Sequence, residues 1–142
     1  MKWNIIKNKK DIEELMTLFY AFHDSCIKEL KYISGAYVSN NRVMFPYNKN
    51  SDLSIIFQSQ IAEIPAIEMV FHGVNKFNLR PEDPQIYSCE IFEANIEKIG
   101  EFYYWSNEPA PFDPLSYSDE VTWLSCKSIE WRVISDDLGS ND

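Results

Sequence analysis

Between Ile27 and Val133 apolar side chains recur at every second position in one stretch after another, and few architectures accommodate that period. Leu53, Ile55 and Phe57 alternate with Ser54 and Gln58, and after Pro65 the pattern restarts with Ile67, Met69 and Phe71 between Glu68, Val70 and His72. Successive side chains of a strand point to opposite faces, so such alternation predicts antiparallel strands with one face buried. Leu30, Tyr32, Ser34, Ala36 and Val38 share one side of an earlier stretch; Ser39, Asn40 and Asn41 then give a turn signal and Val43 to Phe45 a returning strand, together a hairpin. Phe77 to Leu79, Ile86 to Glu93 and Gly100 to Trp105 predict further short strands. In the last stretch Val121, Trp123, Ser125, Lys127, Ile129, Trp131 and Val133 fall on one side, which would turn both Trp the same way. A strand of that length is expected to break near Cys126 to Ser128.

The period changes only near the N-terminus. Asp11 and Glu14 have the spacing of a capping box, and Ile12, Leu15, Met16 and Phe19 recur at three- and four-residue intervals, which predicts an amphipathic helix ending between Ala21 and Asp24. One helix and about seven or eight strands define an α+β, mainly antiparallel β fold: a curled sheet or barrel-like sandwich. Its 142 residues suit a single domain over 1–135, able to bury roughly 68% of its unfolded surface, followed by a flexible tail over 136–142.

Charge is unevenly spread. Residues 1–49 carry a net +3 and residues 50–142 a net −12, for −9 overall. An acidic field attracts cationic proteins and repels phosphates, so a basic protein partner is expected and direct nucleic-acid binding is not. Three widely spaced cysteines and the lack of an apolar segment after Met1 predict a reduced, cytoplasmic protein; no apolar run approaches the ~20 residues a membrane helix needs.

Chemistry-bearing residues cluster at Phe22-His23-Asp24-Ser25, but sequence neighbours diverge by about 100° on a helix and oppose one another on a strand, so a triad among them is disfavoured. His23 and Asp24 with Glu90 form the catalytic alternative, acting on a small molecule. His23 and Cys26, completed by His72, Cys89 or Cys126, lack the doubled ligand pairs of a structural zinc site, so no metal is expected. The four glycines stand alone, no phosphate loop is present, and no cofactor is implied.

An aromatic run, Phe102 to Trp105, leads into a proline-rich segment from Ser106 to Glu120. Tyr103, Trp105, Glu108, Phe112, Asp113, Tyr117 and Asp119 would make an aromatic and acidic partner-binding patch, unless the rings only cap the core. Phe22-His23-Asp24-Ser25, Ser34-Gly35-Ala36-Tyr37-Val38, Pro65-Ala66-Ile67-Glu68, Val121-Thr122-Trp123 and Glu130-Trp131-Arg132 together resemble a family of small uncharacterised proteins from low-GC Gram-positive bacteria. That family is similar in general character to the immunity proteins of polymorphic toxin systems. The resemblance implies a module that masks a basic toxin, and it assigns no functional residue. A third alternative is a small-ligand carrier with Tyr32, Tyr37, Tyr104 and Trp123 around a barrel mouth.

Overall fold

The computed structural model describes residues 2–46, 51–81, 83, 85, 91–109, 113 and 121–135. Elements in chain order are β1 (Asn4–Ile5), α1 (Lys9–Leu18), a short turn at Tyr20–Phe22, β2 (Ser25–Ile33), β3 (Tyr37–Val38), β4 (Met44–Phe45), β5 (Asp52–Ser59) and β6 (Ala66–His72). They continue with β7 (Lys76–Asn78), β8 (Asn95–Ile99), β9 (Phe102–Ser106), β10 (Trp123–Cys126) and β11 (Ser128–Val133). All pairings are antiparallel. They build a five-stranded sheet ordered β1-β11-β6-β5-β2, a four-stranded sheet ordered β7-β10-β9-β8, and the separate β3-β4 hairpin.

The fold is thus mainly antiparallel β with one α-helix, as expected, but the sheets stay open and do not close into a barrel. The eleven strands among the described residues exceed the expected seven or eight because several span only two or three residues, too short to show a period, and β8 carries no clean alternation. The inward residues of β5 and β6 are those the alternation selects: Leu53, Ile55, Phe57, Ile67, Met69 and Phe71 are buried. They meet Ile96, Trp105, Leu124 and Cys126 of the four-stranded sheet in one cluster.

The last stretch breaks at Lys127, within the expected interval, and the break moves the chain from one sheet to the other. It also shifts the inward parity: Leu124 and Cys126 are buried before it, Ile129 and Trp131 after it. The two Trp therefore do not face alike. Trp131 is buried, whereas Trp123 is only half-buried on the outer side of β10.

The helix starts earlier and stops earlier than the pattern suggests. Asn8 is its cap, its Oδ1 accepting the Asp11 N–H at 3.0 Å, while Asp11 Oδ2 accepts the Lys7 N–H at 2.8 Å. Leu15 and Phe19 are buried and Ile12 and Met16 pack at the rim, so the stripe itself is as expected. After Leu18 the chain reverses hand: Tyr20, Ala21 and Phe22 have φ of 55°, 51° and 62°, and Asp24 has 56°. Left-handed conformation costs an L-residue about 1–2 kcal/mol, and burial of Phe22 offsets much of it. The Phe22 ring meets Phe19, Phe57 and Trp105 edge-on at 5.2, 4.9 and 6.0 Å.

Candidate functional site

The aromatic run of β9 divides by strand parity. Tyr103 and Trp105 point inward and keep 5% and 0% of their surface; Trp105 packs against Phe57 at 5.3 Å and Tyr103 donates its hydroxyl to the Ile6 carbonyl at 3.4 Å. These two rings are core and do not form a partner-binding face, a correction to the expectation from sequence. Glu108 and Asp113 are exposed, and Phe112, Tyr117 and Asp119 lie outside the described residues.

The left-handed turn fixes the His23 cluster. The Ser25 hydroxyl is buried and donates to the Phe22 carbonyl at 2.6 Å, which commits it to the turn and removes it as a nucleophile. His23 Nδ1 lies 2.6 Å from the Phe92 carbonyl, an acceptor only, so this nitrogen carries the proton; Nε2 faces Asp24 Oδ2 at 3.6 Å. The imidazole also stands edge-on to Phe92, which is 73% exposed. His23 and Asp24 do meet, but neither lines any of the three grooves described below, and Glu90 lies outside the described residues. Among the described residues no group of three or more His, Cys, Asp or Glu is placed to hold a metal ion; Cys126 is a buried free thiol and Cys89 lies outside.

The outer face of the five-stranded sheet carries a cluster that alternation alone could not assemble, because cross-strand register is invisible in sequence. His72 on β6 sits between Asp52 of β5, 3.1 Å from Nδ1, and Glu130 of β11, 3.0 Å from Nε2. Partial burial, the largest single influence, works against a charged ring. The hydrogen bonds to Glu130 and Asp52 and their two charges together outweigh it, and the imidazole is held above its ordinary 6.5. Beside it Arg132 binds Glu68 at 2.8 Å, Ser54 donates to the same carboxylate at 2.9 Å, and the guanidinium lies 4.6 Å over Trp3. Every member of both groups has its partner within the face, so they stitch β1, β5, β6 and β11 together.

Exposed apolar surface concentrates elsewhere. Half of the fourteen large hydrophobic residues exposed among the described ones fall between residues 32 and 45: Tyr32, Ile33, Tyr37, Val38, Val43, Met44 and Phe45. The sequence shows why. Alternating apolar residues there lie on both sides of the chain, and among the described residues the hairpin they build pairs with no third strand. Its turn is closed by the Arg42 N–H on the Ser39 carbonyl at 2.9 Å, and Tyr37 stacks on Phe45 at 4.7 Å and 8°. Met44 is 61% exposed. Lys31 and Arg42 are exposed at its margin. Tyr32 and Tyr37 therefore do not line a barrel mouth, and Tyr104 and Trp123 lie on the outer face of the other sheet.

Grooves on the described surface include three near these elements. One of about 480 Å³ runs between α1 and β8, one of about 270 Å³ lies beside β1, and one of about 200 Å³ is lined by Ile27, Leu79 and Thr122 among others. No described helix is long and apolar enough to cross a membrane. No family model matches the chain, and no curated protein and no solved structure is significantly similar to it.

Proposed function

We propose that this chain is a protein-binding module that presents the β3-β4 hairpin and the adjoining end of β2 to a cationic protein, as an immunity protein masks a basic toxin. The exposed apolar cluster from Tyr32 to Phe45 carries this reading. A lone two-stranded hairpin is marginally stable in water, and stacked rings at its end add only about 0.5–1.5 kcal/mol. A partner that covers Tyr37, Met44 and Phe45 would bury a patch of the kind that marks protein interfaces. The sign of the partner is supported by the long-range field of residues 50–142, net −12, and not by the hairpin, where Lys31 and Arg42 stand at the margin and the contact itself is apolar.

Photo-cross-linking from a benzoylphenylalanine placed at Met44, in the native host, tests it. The expected product is one discrete adduct with a basic protein, lost in Phe45→Ser and formed more slowly as salt rises. An acidic partner, or an equal yield from a probe at Glu108, would refute the assignment.

A further inference from the structure

We infer that the edge of β8 is a second contact site, which accepts an extended, uncharged segment of a partner protein as an added strand. It shares no residue with the hairpin and does not depend on that reading.

β8 and β9 join through Gly100 and Glu101, with Gly100 at φ 64°, and Ile99 opposes Phe102. In a two-residue hairpin the flanking pair is hydrogen-bonded, and bonded and non-bonded pairs then alternate. Asn95, Glu97 and Ile99 therefore turn their backbone groups toward β9, and Ile96 and Lys98 turn theirs outward. Among the described residues no backbone group pairs with those of Ile96 and Lys98.

The groove of about 480 Å³ lies along this edge. Asn95, Ile96, Glu97 and Lys98 all line it, although consecutive side chains of a strand point to opposite faces. A groove lined by four in succession reaches the strand's backbone edge, and with Tyr103 of β9 in its lining it also opens onto the inner face of the sheet. The opposite wall is a stripe of α1 bearing Lys9, Ile12, Glu13 and Met16. A helix wall beside a free strand edge is the arrangement in which strand addition supplies both main-chain hydrogen bonds and a seat for alternate side chains.

The other sheet edges lack this combination. β1 has two residues and β7 three, while β2 is interrupted by a bulge between Ile27 and Glu29, a device that deters pairing. β8 keeps unbroken register over five residues. The charge of the walls selects the occupant: Lys9 and Lys98 balance Glu13 and Glu97 over the apolar Ile12, Met16 and Ile96. In a chain of net −9 this neutral strip fits a segment with alternating apolar residues and no net charge.

Amide hydrogen exchange on the full chain, followed by NMR, is the first test. Ile96 and Lys98 are expected to exchange fast while Glu97 and Ile99 are protected. Peptides selected from a random display library on the full chain should then be near-neutral and alternately apolar, and should protect Ile96 and Lys98 on binding. Lys98→Pro removes one outward N–H at an edge position that tolerates proline, and should weaken these peptides about tenfold or more without lowering the melting temperature. If Lys98→Pro does not fold, Glu13→Trp, at an exposed position on the helix wall, is used in its place to fill the groove, and it should weaken the same peptides. Four results would each overturn the proposal: slow exchange of Ile96 and Lys98 in the free chain, no peptide binding tighter than about 1 mM, protection confined to other amides, or a dimer dissolved by Lys98→Pro, which would give the edge to a second copy.

Discussion

Replacing Trp105 separates its part in the core from any part in binding. The ring is fully buried between Phe22 and Phe57, and among the described residues its buried indole Nε1 has no hydrogen-bond partner. Trp105→Ala removes the whole wedge between the two sheets and should cost about 3–5 kcal/mol. Trp105→Phe is a finer probe. It removes roughly three ring atoms, worth about 2 kcal/mol of burial at ~0.8 kcal/mol per carbon, but also removes the orphaned N–H, whose desolvation costs about 1–3 kcal/mol. The two nearly cancel, so Trp105→Phe should lie within about 1 kcal/mol of the parent. Urea unfolding followed by far-UV circular dichroism measures both. At a slope of about 2 kcal/mol per molar, Trp105→Ala lowers the midpoint by about 2 M while Trp105→Phe barely moves it. A loss below about 1 kcal/mol in the alanine variant would show that the ring does not join the sheets. A loss of about 2 kcal/mol or more in the phenylalanine variant would show that the N–H is paired.

Ala21→Gly should stabilise the fold by about 0.5–1 kcal/mol, because relief at φ 51° outweighs the added freedom of the unfolded chain, and a lower urea midpoint would contradict the strain at this turn. His72 is held above its ordinary 6.5, so it contributes stability that is fully present below that pH and is lost as pH rises through the folded value. The urea midpoints of the parent and His72→Gln should therefore converge as pH rises above the ordinary 6.5, and a constant gap would remove the charged ring from the staple. Burial, only partly opposed by a backbone hydrogen bond involving Ser128, pushes the Cys126 thiol up to about 12. At pH about 8 iodoacetamide should leave Cys126 unmodified in the native chain and label it in urea, as peptide mass mapping would report.

Where a strand is long and keeps one face in the core, as in Leu53 to Phe57 or Ile67 to Phe71, its side chains declare it in the sequence. The hairpin at residues 37–45 was legible from its turn residues, and so was the break near Lys127. What the break does was not, because parity counts cannot tell a bend from a transfer between sheets. Tyr103 and Trp105 show the matching limit for the site: aromatic composition signals contact, and only the pairing of β9 with β8 and β10 decides that the contact is internal. The exposed residues from Tyr32 to Phe45 were visible as a strand pair, but exposure depends on whether another strand covers them. The Asp52, His72 and Glu130 group needs three strands in register, which no single segment encodes.

The transfer at Lys127 also sets an order of events for a growing chain. β10 lies between β7 and β9, and β11 between β1 and β6, so both sheets lack an interior member until Trp123 to Val133 has been synthesised. Before then only local pairings such as β5 with β6 and β8 with β9 are available, and the apolar faces they expose stay wet. Such non-local closure is slow, on the order of milliseconds to seconds, and it makes the arrival of Trp123 to Val133 the step at which the interior of this protein first becomes dry.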